Sequence, residues 1–136
     1  MYREIKFRAW NIPNKLMYQN VQDGLLAENE KDQLVLGVSL GKLSKDAGSI
    51  LMQFSGLQDK NGKEIYEFDI VKFYNPYSKN TYIMVVKFCS VFAGFALFDS
   101  VESKWAKESD YLKIQDLEVV GNIYENTELL DSSVVA

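Results

Sequence analysis

The stretch from Ser55 to Phe73, SGLQDKNGKEIYEFDIVKF, gathers the residues most able to do chemistry. Glu64, Glu67 and Asp69 are the only candidate acid/base cluster, and Tyr66 stands among them. Two carboxylates can divide general acid and general base work when burial pushes their pKa values apart. Glu67 and Asp69 lie two positions apart, so they share a face if the following strand begins that early. Such a pair also needs a cleft to perturb it. The simpler reading is a solvated strand entry, or an aspartate that bonds its own backbone to set a bend. Glu67, Asp69 and Tyr66 therefore stand as binding candidates, and no catalytic residue is assigned.

Two further chemistries fail in the same stretch. A phosphate loop needs four residues between its glycines, followed by Lys and then Ser or Thr. Here five residues separate Gly56 from Gly62, and Glu64 follows Lys63. GVSLGKL, with Gly37 and Gly41, misses the spacing and has Leu43 in the hydroxyl position. As a calcium loop, Gly62 at the sixth position puts Asp59 and Asn61 on liganding positions. The first and twelfth positions then fall on Leu57 and Phe68, which offer no oxygen ligand. What remains is a hairpin: Ser55–Gly56 ends one strand, Asn61–Gly62 turns, and a new strand begins at Ile65.

The chain has no histidine and one cysteine, Cys89. Histidine-dependent triads, Cys/His zinc sites and an internal disulfide are thereby excluded. No metal and no cofactor are expected. Cys89 lies in an apolar run and reads as a small core residue.

The 136 residues, 47% of them hydrophobic, suit one domain with its own core. No run approaches the roughly 18 apolar residues of a spanning helix, and MYREIKFRAW turns charged too early for a signal peptide. A cytoplasmic protein with no membrane association is expected. The net charge of −4 disfavours tight binding to duplex DNA.

Period-two patterning dominates. REIKFRAW sets Ile5, Phe7 and Ala9 on one face, with Lys6 and Arg8 on the other. A turn at Asn11–Lys15, with Asn14 suited to a left-handed conformation, returns the chain through LMYQN. Residues 1–20 form an N-terminal hairpin. Residues 21–49 are variable and loop-rich, with a helical turn or two in DGLLAENEKD, a strand in QLVLGV, and the most mobile backbone of the chain. ILMQF, FDIVKFY, TYIMVVKFC, GFALFDS and LEVVGNIYEN read as strands. TYIMVVKFC has too few polar positions for a surface strand and is central. Trp105 anchors the polar segment ESKWAKESDYLK, and Val119 and Ile123 face one way. Residues 50–126 form a barrel, and 127–136 a tail with a short helical turn or a frayed end. The fold class is mainly β: an N-terminal hairpin plus a small SH3-like barrel built mostly from the C-terminal half, with little helix.

REIKFRAWN, LMQFSGLQDKNGKEIYEFDIV and LEVVGNIYEN, in this order, resemble the YopX protein family. The blocks span nearly the whole chain, leaving out residues 21–48. The resemblance implies a small cytoplasmic protein of phages and prophages with a mostly-β, barrel-like fold. It brings no assigned catalytic residue, ligand or partner. Where the family tends to have Glu-Gly-Asp, this chain has Glu67-Phe68-Asp69. It has Asn11 where Asp is usual after the first Trp, and Thr127 where Pro follows the last Glu-Asn. A glycine before Asp69 suggests positive φ or close backbone approach. Phe68 argues against positive φ here, since bulky residues rarely adopt it.

The expected function is that of a non-enzymatic protein-binding module, with an unknown host or phage protein as partner and homo-oligomerisation through exposed aromatics as an option. The alternative is a small barrel binding single-stranded nucleic acid, with Lys72, Lys79 and Lys87 interleaved among aromatic residues. A carboxylate enzyme built on Glu67 and Asp69 ranks below both.

Overall fold

The computed structural model describes residues 4–21, 25–28, 34–38, 49–91, 93–103, 116–132 and 134–135. The loop expected at 39–48 and the segment around Trp105 lie outside them. The chain divides into two compact units, Met1–Phe54 and Ser55–Ala136. Among the described residues the architecture is mainly β, with antiparallel sheets and little helix.

In the first unit, β1 (Phe7–Asn11) pairs antiparallel with β2 (Leu16–Tyr18), setting Ala9 opposite Tyr18 and Asn11 opposite Leu16. Asn11 closes the connecting turn, its Oδ1 accepting the Asn14 N–H at 2.9 Å. The left-handed residue is Lys15 (φ 54°), not Asn14. Across its other edge β1 pairs with β5 (Ser49–Gln58), from Phe7 opposite Gln53 to Asn11 opposite Ser49. Ala9 and Val21 are buried among Phe7, Tyr18 and Leu51. Alternation overstated two positions: Ile5 is exposed, and Arg8 is buried. A second, two-stranded sheet joins β3 (Leu25–Glu28) to β4 (Leu34–Val38). Within DGLLAENEKD, Leu25–Glu28 form a strand where a helical turn was allowed, because cross-strand pairing overrides a weak local preference; the rest of that stretch lies outside the described residues.

Strand β5 runs on past Ser55–Gly56 to Gln58, correcting the strand end read from the sequence. Gly56 sits at φ 91°, so the chain changes direction there without leaving the strand.

The second unit contains β6 (Glu64–Tyr66), β7 (Asp69–Asn75), β8 (Asn80–Cys89), β9 (Gly94–Phe98), β10 (Glu118–Asn122) and β11 (Val134–Val135), with a 3-10 helix at Thr127–Ser132. β6 neighbours β5. β8 is central, as its composition implied. It pairs with β7 from Ile70–Val85 to Asn75–Asn80, and on its other edge with β9 and β11. β10 flanks β7.

Both faces of this sheet are covered, which is why TYIMVVKFC barely alternates. One face carries Val71, Phe73, Met84, Val86 and Leu97, packed with Ile65 and Leu117. The other carries Ile70, Ile83, Val85, Ala96 and Phe98, packed with Ile123, Cys89 and the partly buried Leu129 and Leu130. Val85 and Val86 are adjacent, fully buried and serve opposite layers. Each such side chain contributes about 1.5–3 kcal/mol by leaving water.

Val119 and Ile123 do not face one way. The register of β10 slips between Val119 and Gly121, and the strand stops at Asn122. The bulge adds one residue, so Val119 packs on the first layer and Ile123 on the second. No helix among the described residues is long and apolar enough to cross a membrane.

The β5–β6 turn depends on Gly62 at φ 83°, where a Cβ would meet nothing within 4 Å. Space is therefore not the constraint; backbone conformation is. Gly62→Val should lower stability by at least ~1 kcal/mol, read as a reduced melting temperature. An unchanged melt would show that the turn tolerates an L-residue.

Candidate functional site

Tyr66, Glu67 and Asp69 lie where β6 passes into β7. Glu67 and Phe68 form a turn, so Glu67 and Asp69 do not share a strand face. Asp69 is 1% exposed, and its Oδ2 accepts the Tyr66 N–H at 2.8 Å. The Tyr66 hydroxyl reaches Glu64 Oε1 at 3.5 Å. The bland reading of Asp69, a carboxylate that bonds nearby backbone to set a bend, describes its geometry.

Phe68 does adopt positive φ, 67°, against expectation. The surroundings hold it there from three sides. Its N–H donates to the Val86 carbonyl at 2.7 Å, and its carbonyl accepts the Ile123 N–H at 3.1 Å. Its ring packs edge-on against Tyr124 and joins the second core layer. Packing and main-chain bonds thus offset a strain of about 1–2 kcal/mol.

Asp59, eight per cent exposed, is the residue that sequence reasoning missed. The sequence marks it only as a liganding position of a calcium loop that lacks its first and twelfth ligands. Its Oδ1 accepts the N–H groups of Asn61 (2.8 Å) and Lys63 (2.9 Å), closing the turn. Its Oδ2 accepts the N–H of Val119, sixty positions away, at 2.9 Å. Beside it the Lys60 N–H donates to the Leu117 carbonyl at 2.9 Å, and Lys60 Nζ lies 3.4 Å from Glu118. The turn thereby covers part of the edge of β10, where open main-chain groups would otherwise invite pairing. Burial pushes the Asp59 carboxyl up. The N–H groups of Val119, Lys63 and Asn61, with the Lys63 charge, outweigh it and hold the group below its usual range.

Asn122 and Asn126 do similar work after β10. Asn122 Oδ1 accepts the N–H groups of Tyr124 and Glu125 at 3.0 and 2.9 Å. Asn126 Oδ1 accepts the Asn122 N–H, while the Asn126 N–H donates to the Asn122 carbonyl. A Cβ on Gly121 would run into the Asn126 side chain, so glycine is required by close approach. The GNIYEN block is a main-chain lock.

Among the described residues, exposed large side chains include two tyrosines of the β7–β8 hairpin. Asn75 Oδ1 accepts the Tyr77 N–H at 2.8 Å and the Ser78 N–H at 3.3 Å, and Lys79 N–H donates to the Asn75 carbonyl. This fixes a tip on which Tyr77 is 96% exposed and Tyr74, at its base, 50%. Tyr74 also lines an open groove of about 320 Å³ with Lys60, Lys72, Phe73, Thr81, Asp116 and Glu118. The sequence signal for this feature is NPYSKN, the polar segment between FDIVKFY and TYIMVVKFC. Of the lysines considered for base stacking, Lys87 is engaged elsewhere: its Nζ donates to the carbonyls of Val101 and Ser103 at 2.6 and 2.7 Å and lies over the Phe98 ring. Burial lowers its pKa, with Glu102 and Asp99 opposing. Among the described residues no group of three or more His, Cys, Asp or Glu could hold a metal ion.

A mostly-β chain with these main-chain locks defines a small β protein whose polar motif residues maintain its fold. The family model for YopX protein matches residues 6–131, and the chain belongs to that family. Protein EF1440 from Enterococcus faecalis is similar in structure, with a TM-score of 0.60 and 25% identity over 95% of this chain and 99% of that one. Protein yopX from Bacillus subtilis shares the fold, with a TM-score of 0.56 and 23% identity over 91% and 96% of the two chains. No curated protein matches.

Two outcomes test these assignments. Because the Asp59 pKa is lowered on folding, its contribution is present above the unfolded value of about 3.9 and is lost as pH falls through the folded value. Asp59→Ala should cost about 2–4 kcal/mol at pH 7, since three N–H groups lose a charged acceptor. Its stability should also fall less than the parent's between about pH 4 and pH 2, followed by denaturant unfolding; parallel pH profiles would remove Asp59 from this role. For Phe68, the glycine variant should be more stable than the alanine variant by ~1 kcal/mol, reversing the usual order of these residues. An Ala variant equal to or above Gly would show that φ is relaxed.

Proposed function

We propose that the chain is a non-enzymatic protein-binding module, a phage- or prophage-type accessory protein acting in the cytoplasm of a bacterial host. The observation that carries this reading is the β7–β8 hairpin, which holds Tyr74 and Tyr77 exposed on a tip fixed by Asn75. Tyrosine is enriched among the residues that dominate protein interfaces, and a preorganised tip reduces the ordering cost of binding. The buried carboxylates Asp59 and Asp69 already accept main-chain N–H groups, which favours a structural over an acid/base role. Glu67, half-buried on its turn, remains a weaker contact candidate, whereas Tyr66 is buried. The groove next to Tyr74 carries two lysines and two acids, a mixed surface suited to a protein partner.

Single-stranded nucleic acid is the second reading. Lys72 beside Tyr74 and Lys79 beyond Tyr77 favour it. Asp116 and Glu118 in the same groove and a net charge of −4 oppose it.

The test is affinity capture from lysogenic or infected cells, using the parent and a Tyr74→Ala/Tyr77→Ala variant, with and without nuclease. A host or phage protein should be retained after nuclease treatment and lost with the double variant, each tyrosine being worth about 1 kcal/mol or more. Capture that vanishes with nuclease would replace this reading with the nucleic-acid one.

A further inference from the structure

Lys87 stands in an apolar row. Side chains alternate along β8, so Lys87 shares a sheet face with Val85 and Cys89. Across the ladder these three oppose Phe98, Ala96 and Gly94 of β9. Val85, Cys89, Ala96 and Phe98 are all buried members of the second core layer. Lys87 itself is half-buried. An ammonium has three donors and no acceptor, and on such a face it must find partners or reach water.

The partners come from the segment that follows β9. The β8–β9 ladder ends at Phe98, and residues 99–103 run on outside the strands. Lys87 Nζ donates to the carbonyls of Val101 at 2.6 Å and Ser103 at 2.7 Å, and lies 4.4 Å from the centre of the Phe98 ring. Burial works against the ammonium, and the carboxylates of Glu102 and Asp99 work for it. Within the segment the Ser103 N–H donates to Ser100 Oγ at 3.1 Å. Val101 packs, partly buried, on the second layer. One side chain of β8 thus gathers two carbonyls of a segment that joins no strand.

We propose that Lys87 is a charge latch, whose ammonium straps residues 99–103 down over the second core layer, and that removal of this one charge frees the strap while the sheet stays folded. The strap depends on the charge because charged donors make the stronger hydrogen bonds to carbonyls, and the two bonds converge on a single nitrogen. The sheet does not depend on it, because the row around Lys87 is apolar and a neutral side chain of similar length packs there at no desolvation cost. The fold thereby has a second state. With the strap down, Val101 is packed and the Phe98 ring lies beneath the ammonium. With the strap free, Val101 leaves the layer and that side of Phe98 is uncovered.

The experiment compares the full-length parent with Lys87→Met and Lys87→Arg variants by NMR near neutral pH. The strap is read from hydrogen exchange of the Ser103 amide and from relaxation of the Val101 methyl groups by a soluble paramagnetic agent. The sheet is read from exchange of the Val85 and Val86 amides. Methionine keeps the flexible unbranched shape without charge or donors, and arginine keeps both charge and donors. In the methionine variant Ser103 exchange should accelerate by about tenfold or more, and the Val101 methyls should become accessible, with Val85 and Val86 exchanging as in the parent. In the arginine variant all readouts should match the parent. A methionine variant whose strap behaves as the parent's would overturn the latch. Faster exchange at Val85 and Val86, or loss of the folded spectrum, would overturn it as well, because Lys87 would then hold the sheet and not the strap alone. A free strap in the arginine variant would show that the shape of lysine, rather than its charge, holds the segment, and would also overturn the proposal.

Discussion

The carboxylate of Asp59 links parts of the second unit that the chain itself keeps far apart. It accepts two N–H groups of its own turn and one from Val119 in β10. A buried carboxylate without such donors is expensive, and three main-chain N–H groups without an acceptor are little better. Each side solves the other's problem. The same bargain recurs at Asp69 with Tyr66, and at Asn122 with Tyr124 and Glu125. These locks hold the chain at the entry to β7 and the exit from β10, which are neighbouring strands.

This accounts for why the motif-like stretches carry so little evident chemistry. DKNGK, EFD and GNIYEN look like sites because they concentrate charged and amide side chains around glycines. The side chains of Asp59, Asp69, Asn122 and Asn126 accept main-chain N–H groups within the fold. Phe68 shows how firmly the arrangement is set: a bulky aromatic adopts left-handed backbone because Val86 and Ile123 hold its peptide groups and Tyr124 holds its ring. A glycine at that position would avoid the strain and forgo the packing.

Function on such a scaffold falls to what the locks leave over. In the second unit both faces of the five-stranded sheet carry a buried cluster, while among the described residues the β7–β8 hairpin tip is exposed and the groove beside it is open. The β7–β8 hairpin supplies a tip with Tyr77, and its strands supply the groove at Tyr74 and Thr81.

The sequence by itself determined the fold class and the central position of β8. These follow from hydrophobic periodicity, which is a local record of burial. It also determined that histidine and disulfide chemistry are absent. Only the tertiary structure decided which polar residues are structural. Asp59 meets Val119 across sixty positions, and nothing local to either residue encodes that pairing. The bulge between Val119 and Gly121 moved Ile123 to the other layer, because one inserted residue inverts every later alternation. Gly56 let β5 continue where a turn residue seemed to end it, and Phe68 took a conformation its side chain disfavours. In each case long-range hydrogen bonds and packing outweighed a local preference of about 1–2 kcal/mol.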